Sequence, residues 1–118
     1  MELAVLRHTD HGEKFISTVK LILNSILNSI LCGEMVKTRE LMIVIDILES
    51  YSAFDFHVAH RKYASFRMEF RNFVVKMRWD PSYTTKQVRA WAQIERILLY
   101  LVEDGQRFLD ISEGRIPL

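Results

Sequence analysis

The sequence predicts an all-α fold: an antiparallel helical bundle of about four main helices, the last two forming a long helical hairpin. Two apolar seams and a shortage of turn residues predict it. Residues 56 to 77 place Phe56, Ala59, Tyr63, Phe66, Phe70, Phe73 and Met77 at alternating steps of three and four, the spacing of a helix packed lengthwise on another. Trp91, Ile94, Leu98, Leu101, Gly105 and Phe108 repeat it. With 4 glycines and 2 prolines among 118 residues, the elements must be few and long. A chain of this length builds one core, so residues 1–118 read as a single domain.

Each element carries its own signals. Residues 1–12 read as a loosely ordered lead-in. The first helix is expected over 13–32, with Phe15, Val19, Ile22, Ile26 and Ile30 on one side and Ser17, Asn24 and Asn28 opposite, and Gly33 as its C-terminal cap. The second, 38–50, starts at Thr38. Its run from Leu41 to Leu48 is rich in β-branched residues and by composition fits a buried strand too, but a lone strand leaves its backbone hydrogen bonds unmet, so a helix is expected. Ser52 and Asp55 look like a variant capping box, which starts the third helix at 53 and carries it to 78. Pro81 bars continuation, and Thr84 or Thr85 offers the N-cap of the fourth, 85–111. Gly105 lies on the second seam and reads as a point of close helix approach.

Several function classes are excluded by composition. Sixteen Lys and Arg against fifteen Asp and Glu leave no global field to draw nucleic acid. A lone Cys32 rules out an internal disulfide framework and fits a reducing compartment. The longest apolar-rich run, Val19 to Cys32, is interrupted by Lys20, Asn24, Ser25, Asn28 and Ser29 and makes a poor membrane span. The opening M-E-L-A-V-L-R-H lacks the basic start and apolar centre of a signal peptide. The expected location is the cytoplasm.

The densest group of reactive side chains is L-R-H-T-D-H-G-E-K, residues 6–14. His8, Asp10 and His11 supply at most three ligands on neighbouring positions ahead of the first firm helix, so the stretch reads as a solvated N-cap region, not a metal site. Glu103 and Asp104 are adjacent and point to different helix faces, which spoils them as an acid/base pair. No enzymatic activity, metal or cofactor is expected.

Charge is polarised instead. Residues 57–89 hold eight basic residues against Glu69 and Asp80, a local net of +6 in a chain whose net is +1. On the third helix His60, Arg67, Arg71 and Arg78 fall together, away from the aromatic seam, as a basic stripe. Glu95, Glu103 and Asp104 on the next helix are its natural partners if the stripe is only a solvated face. Recognition of an acidic protein surface or of a phosphate backbone is the functional reading. Apolar residues off the seams point to a second buried surface: Met68 and Val75 among the arginines, Leu99 and Tyr100 on the last helix, Leu21 and Leu31 on the first. The Leu41–Leu48 segment, apolar around most of its circumference, points the same way.

These features predict a small non-enzymatic regulatory or adaptor protein that binds a partner protein through helical faces and modulates its activity, as a homodimer. The expected partner-binding residues are His60, Arg67, Met68, Arg71, Val75, Arg78, Leu99 and Tyr100. Nucleic-acid binding through Arg67, Arg71 and Arg78 is the alternative. A third reading rests on A-H-R-K-Y-A-S, which over fewer than ten residues is similar to the phosphoacceptor segment of histidine phosphotransfer domains. Those are four-helix bundles with an exposed helical histidine, a lysine at the third position after it and a glycine at the fourth. The resemblance implies His60 as phosphoacceptor, with Tyr63 in the lysine's place, Ala64 in the glycine's, and Arg61 and Lys62 beside the phosphate.

Overall fold

A computed structural model describes residues 10–33 and 35–117, Asp10 and His11 by their backbone alone. Four helices run in order: α1 Asp10–Leu31, α2 Arg39–Ser52, α3 Phe56–Trp79 and α4 Thr85–Ser112. No strand occurs among the described residues. Each helix packs on the next in the chain, and the bundle measures 50 × 27 × 18 Å. Its length is close to that of α4 itself, about 42 Å at 1.5 Å per residue.

The ends of the helices follow local chemistry. The Thr38 hydroxyl accepts from the Leu41 amide at 3.1 Å and opens α2. Thr84 opens α4 with a full capping box: its hydroxyl accepts from the Gln87 amide, and the Gln87 side chain accepts from the Thr84 amide at 2.9 Å, an arrangement worth about 1 kcal/mol. Gly33, just past α1, takes φ of 76°, and its amide donates to the Ile30 carbonyl. Between α3 and α4 the Asp80 carboxylate accepts from the Ser82 amide and hydroxyl, closing the turn around Pro81. The segment from Leu41 to Leu48 is helical.

Two boundaries differ from the sequence expectation. Helix α1 begins at Asp10, so residues 10–12 are helical and not part of a loose lead-in. Phe15 is buried at 3% exposure, and a helical side chain leans back over the turn before it, which ties down that first turn. His8 lies outside the described residues.

The second difference is the α2–α3 corner. Helix α2 continues through Ser52 and α3 starts at Phe56 instead of 53; Asp55 occupies the N-cap position without a side-chain cap bond. Here the Asp55 amide donates to the Ser50 carbonyl and the Phe54 amide to that of Tyr51. That is a Schellman closure with Phe54 in the left-handed position, at φ of 60°. Glycine is the usual occupant, and a residue with a Cβ costs about 1 kcal/mol there. Phe54 is nonetheless 6% exposed, with its ring 5.4 Å from that of Phe56 and 6.3 Å from Phe108. Packing of the ring offsets the backbone cost.

That ring belongs to a cluster drawn from every helix. Phe15 of α1 meets Phe108 of α4 edge-on at 5.4 Å and Phe56 of α3 at 5.7 Å. Tyr51 of α2 lies 6.2 Å from both Phe15 and Phe56. Each such pair contributes about 0.5–1.5 kcal/mol beyond area burial. Gly105 sits against the cluster: a Cβ there would come within 3.0 Å of Tyr51 Cε1 and His60 Cε1 and 3.3 Å of Phe56 Cδ1. The close approach expected at Gly105 is therefore present.

Helix α2 buries Leu41, Val44, Ile45, Ile47, Leu48 and Tyr51, so most of its apolar circumference is met inside one chain, with Met42 left 47% exposed. Helix α1 differs. Over Gly12–Leu31 it is long and apolar enough to cross a membrane by length and composition, with a mean hydropathy of 1.2, and 17% of that window is buried. Within the bundle α1 is held by Phe15, Val19 and Ile26, all buried.

Two substitutions test this account. Gly105→Ala should lower stability by about 1–2 kcal/mol in urea denaturation, because overpacking against buried rings outweighs the better helix propensity of alanine. Phe54→Ala should cost about 3–5 kcal/mol, and Phe54→Gly about 1 kcal/mol less than Phe54→Ala, since glycine relieves the left-handed strain.

Candidate functional site

Helix α3 has two flanks of opposite electrostatic character. On the flank towards α2, Lys62 Nζ lies 2.9 Å from Asp46 Oδ2, and Arg39 of α2 pairs with Glu69. On the flank towards α4, Arg67, Arg71 and Arg78 form no ion pair among the described residues, and neither does Arg96 of α4. The neighbouring acids Glu95, Glu103 and Asp104 do not pair with this stripe. Towards α2, Lys62 and Glu69 are each ion-paired across the helix contact; towards α4 the arginines are not.

The unmatched arginines line a cleft of about 260 Å³ between α3 and α4, with Tyr63, Phe70, Ala92, Glu95 and Leu99. Tyr63 and Phe70 are buried on the α3 seam. The Tyr63 phenol is held above its ordinary pKa, first by burial; the Arg67 charge lowers it and that of Glu95 raises it. It stays protonated at neutral pH. The cleft thus has an aromatic and aliphatic floor, one carboxylate and four guanidiniums.

Beside the stripe, on the outward side of α3, stand Met68, Val75 and Trp79, at 68%, 45% and 84% exposure. Steps of seven and four keep them on one line along the helix. Of the expected partner-binding residues, the structure gathers Arg67, Arg71, Arg78 and Leu99 into the cleft and sets Met68 and Val75 along its outer rim. It separates two others. Tyr100, 60% exposed, lies across α4 in a groove with Lys14, Phe15, Thr18 and Asp104, one residue and about 100° of rotation from Leu99.

His60 is the second. It does not sit on the exposed stripe: it is half-buried, stacked on Phe56 with ring centroids 6.3 Å apart, and Nδ1 is 2.8 Å from the Tyr51 hydroxyl. Nε2 is shielded from solvent and has no hydrogen-bond partner among the described residues. Burial raises the Tyr51 pKa far above its ordinary value, so the phenol keeps its proton. The Tyr51 hydroxyl and Nδ1 are hydrogen-bonded to each other in either tautomer of the neutral imidazole, so Nδ1 is occupied. Neither ring nitrogen is presented to a phosphodonor, and the exposed histidine implied by the phosphotransfer resemblance is not found here. Its place in the helix sets it at the edge of the seam, where Tyr51 and Gly105 cover it.

Arg96 and Trp79 were missed by sequence reading. Arg96 joins the stripe only once the register of α4 against α3 is known. Trp79 ends its helix, where a large aromatic reads as core, yet it is the most exposed of the apolar residues on α3.

The other grooves carry less chemistry. One of about 290 Å³ between α1 and α4 is lined by Leu21, Ile22, Ile26, Met35, Ile94 and Ile97, among others, with no titratable group. No three His, Cys, Asp or Glu residues come together as a metal-binding group among the described residues. Of the 6–14 stretch, the side chains of His8, Asp10 and His11 lie outside the described residues. Comparisons with protein families, curated proteins and solved structures find no match.

His60 gives this region a pH dependence. Its pKa is lowered from the ordinary value, first by burial and then by the charge of His57. The unfolded chain therefore binds the proton more readily, and stability falls as pH drops below about 6.5 towards the depressed folded value. Thermal melts from pH 7.5 to 5 should show a decline in Tm that is smaller in His60→Gln.

Proposed function

We propose that this chain is a small non-enzymatic regulatory or adaptor protein that binds a partner protein through the α3–α4 side of its bundle. One observation carries the reading: arginines without ion pairs and apolar side chains without cover stand side by side on one side of α3, while on the opposite flank Lys62 and Glu69 are ion-paired. Arginine, methionine and aromatic residues are the types enriched at protein interfaces. Covering Met68, Val75 and Trp79 removes apolar area from water at about 25 cal/mol per Å², and the guanidiniums fix orientation. A partner held on this face is modulated by occlusion of its own surface.

Self-association supplies the second part of the proposal. Leu21, Leu27 and Leu31 on α1 are 71%, 44% and 83% exposed, which supports a homodimer through α1 that leaves the α3–α4 face open. The same arginines suit phosphates, so nucleic acid is the competing reading. Met68 and Val75 beside them and Glu95 among them favour protein, because nucleic-acid interfaces are more polar and more uniformly positive.

A photo-crosslinking residue at Val75 and another at Glu49, on the paired side, separate these readings in cells. The expected outcome is a discrete protein adduct from position 75 that survives nuclease and is absent from position 49, with light scattering of the purified chain at twice the monomer mass. Nuclease-sensitive adducts at 75 support nucleic acid instead. Identical adducts from both positions remove the case for a specific face.

A further inference from the structure

We infer that the cleft between α3 and α4 receives an acidic peptide segment of a partner protein, its carboxylates held by Arg67, Arg71, Arg78 and Arg96 and an apolar side chain seated against Leu99. The inference rests on the protein-binding reading and names the chemistry of its partner. Four guanidiniums and a single carboxylate share about 260 Å³, and none of the four is ion-paired among the described residues. Like charges gathered in one place repel in the free protein. A ligand that brings carboxylates relieves that repulsion, so the complementary charge is negative.

The residue type narrows the choice further. All four cations are arginine, whose planar fork holds a carboxylate through two parallel hydrogen bonds. Tyr63, Phe70 and Ala92 give the cleft a covered base below the exposed Leu99, and charge pairs made against it are strengthened where water is displaced. Arg67, Arg71 and Arg78 stand four and seven residues apart, a line of about 16 Å. A helical ligand lying along α3 meets them with acids at the same steps and turns an apolar side chain towards Leu99. Glu95 works against an unbroken row of phosphates, because it sets a negative charge within the cleft. An acidic segment with gaps in its charge and an apolar anchor avoids that repulsion.

The test uses the full chain and a fluorescein-labelled, helix-forming peptide of about sixteen residues, with glutamates four and seven residues apart and leucines on the adjoining face, and the same peptide with glutamines for glutamates. Fluorescence anisotropy should show binding of the first and not of the second, weakening as salt rises. Arg67→Gln with Arg71→Gln should weaken binding by about tenfold. Arg67→Lys with Arg71→Lys, which keeps the charge and loses the fork, should fall between. Leu99→Ser should weaken binding without changing its salt dependence. Circular dichroism melts confirm that each variant is folded, as expected for substitutions at exposed positions.

Refusal of the glutamate peptide, or equal binding by the double glutamine variant, overturns the inference, as does a single-stranded oligonucleotide of equal charge that binds more tightly. Should position 75 crosslink a protein while the glutamate peptide is refused, the cleft assignment fails and the protein-binding reading stands. Nuclease-sensitive adducts at position 75 remove the reading itself.

Discussion

Phe15, Tyr51, Phe54, Phe56 and Phe108 bring one ring each from α1, α2, the α2–α3 corner, α3 and α4 to a single place, and the register of every helix is set from there. The rings meet edge-on, tilted or stacked at 5.4 to 6.3 Å, distances at which aromatic pairs attract beyond their burial. Gly105 is where the cluster demands a residue without a side chain, and His60 is where it runs out of apolar surface and accepts a polar ring. A four-helix chain with few turn residues needs such a fixed point, because amphipathic helices alone leave sliding and rotation poorly specified.

From this fixed point follows the allocation of faces. Helix α2 lies within the bundle and spends its apolar residues there. Helix α3 therefore has one neighbour on each side and a third side open. Towards α2 its charges are paired across the contact, as Lys62 with Asp46. Towards α4 they are not, since the residues that α4 turns to this flank are Ala92, Leu99, a further cation, Arg96, and a single acid, Glu95. The accumulation of unpaired guanidinium next to uncovered Met68, Val75 and Trp79 results from how the two helices are rotated against each other.

Much of this was legible from spacing alone. The seams on α3 and α4, the caps at Thr38 and Thr84, the close approach at Gly105 and the helical state of Leu41–Leu48 all follow from periodicity and backbone bookkeeping. The corner at Phe54 was not, because the usual mark of a left-handed helix end is glycine and here tertiary packing holds a phenylalanine in its place. Nor was the position of His60. A helical wheel placed it with Arg67 and Arg78, and only the partner helices decide that its edge of the wheel is covered while theirs is open. Arg96 joins the site across a helix–helix register that no single segment encodes. Tyr100 and Leu99, adjacent in sequence, look like one patch until the bundle assigns them to different grooves.

The left-handed Phe54 also bears on how the chain assembles. In most helical hairpins the corner closes by itself, since a glycine or a short polar turn suffices, and the helices then zip together from it. Here the reversal is held by rings that include Phe15 and Phe108, contributed from near opposite ends of the described chain. Helical bundles fold fast because their contacts are local in sequence. In this one the α2–α3 corner is the exception: its backbone closure is local, but the rings that cover Phe54 come from both the first helix and the last.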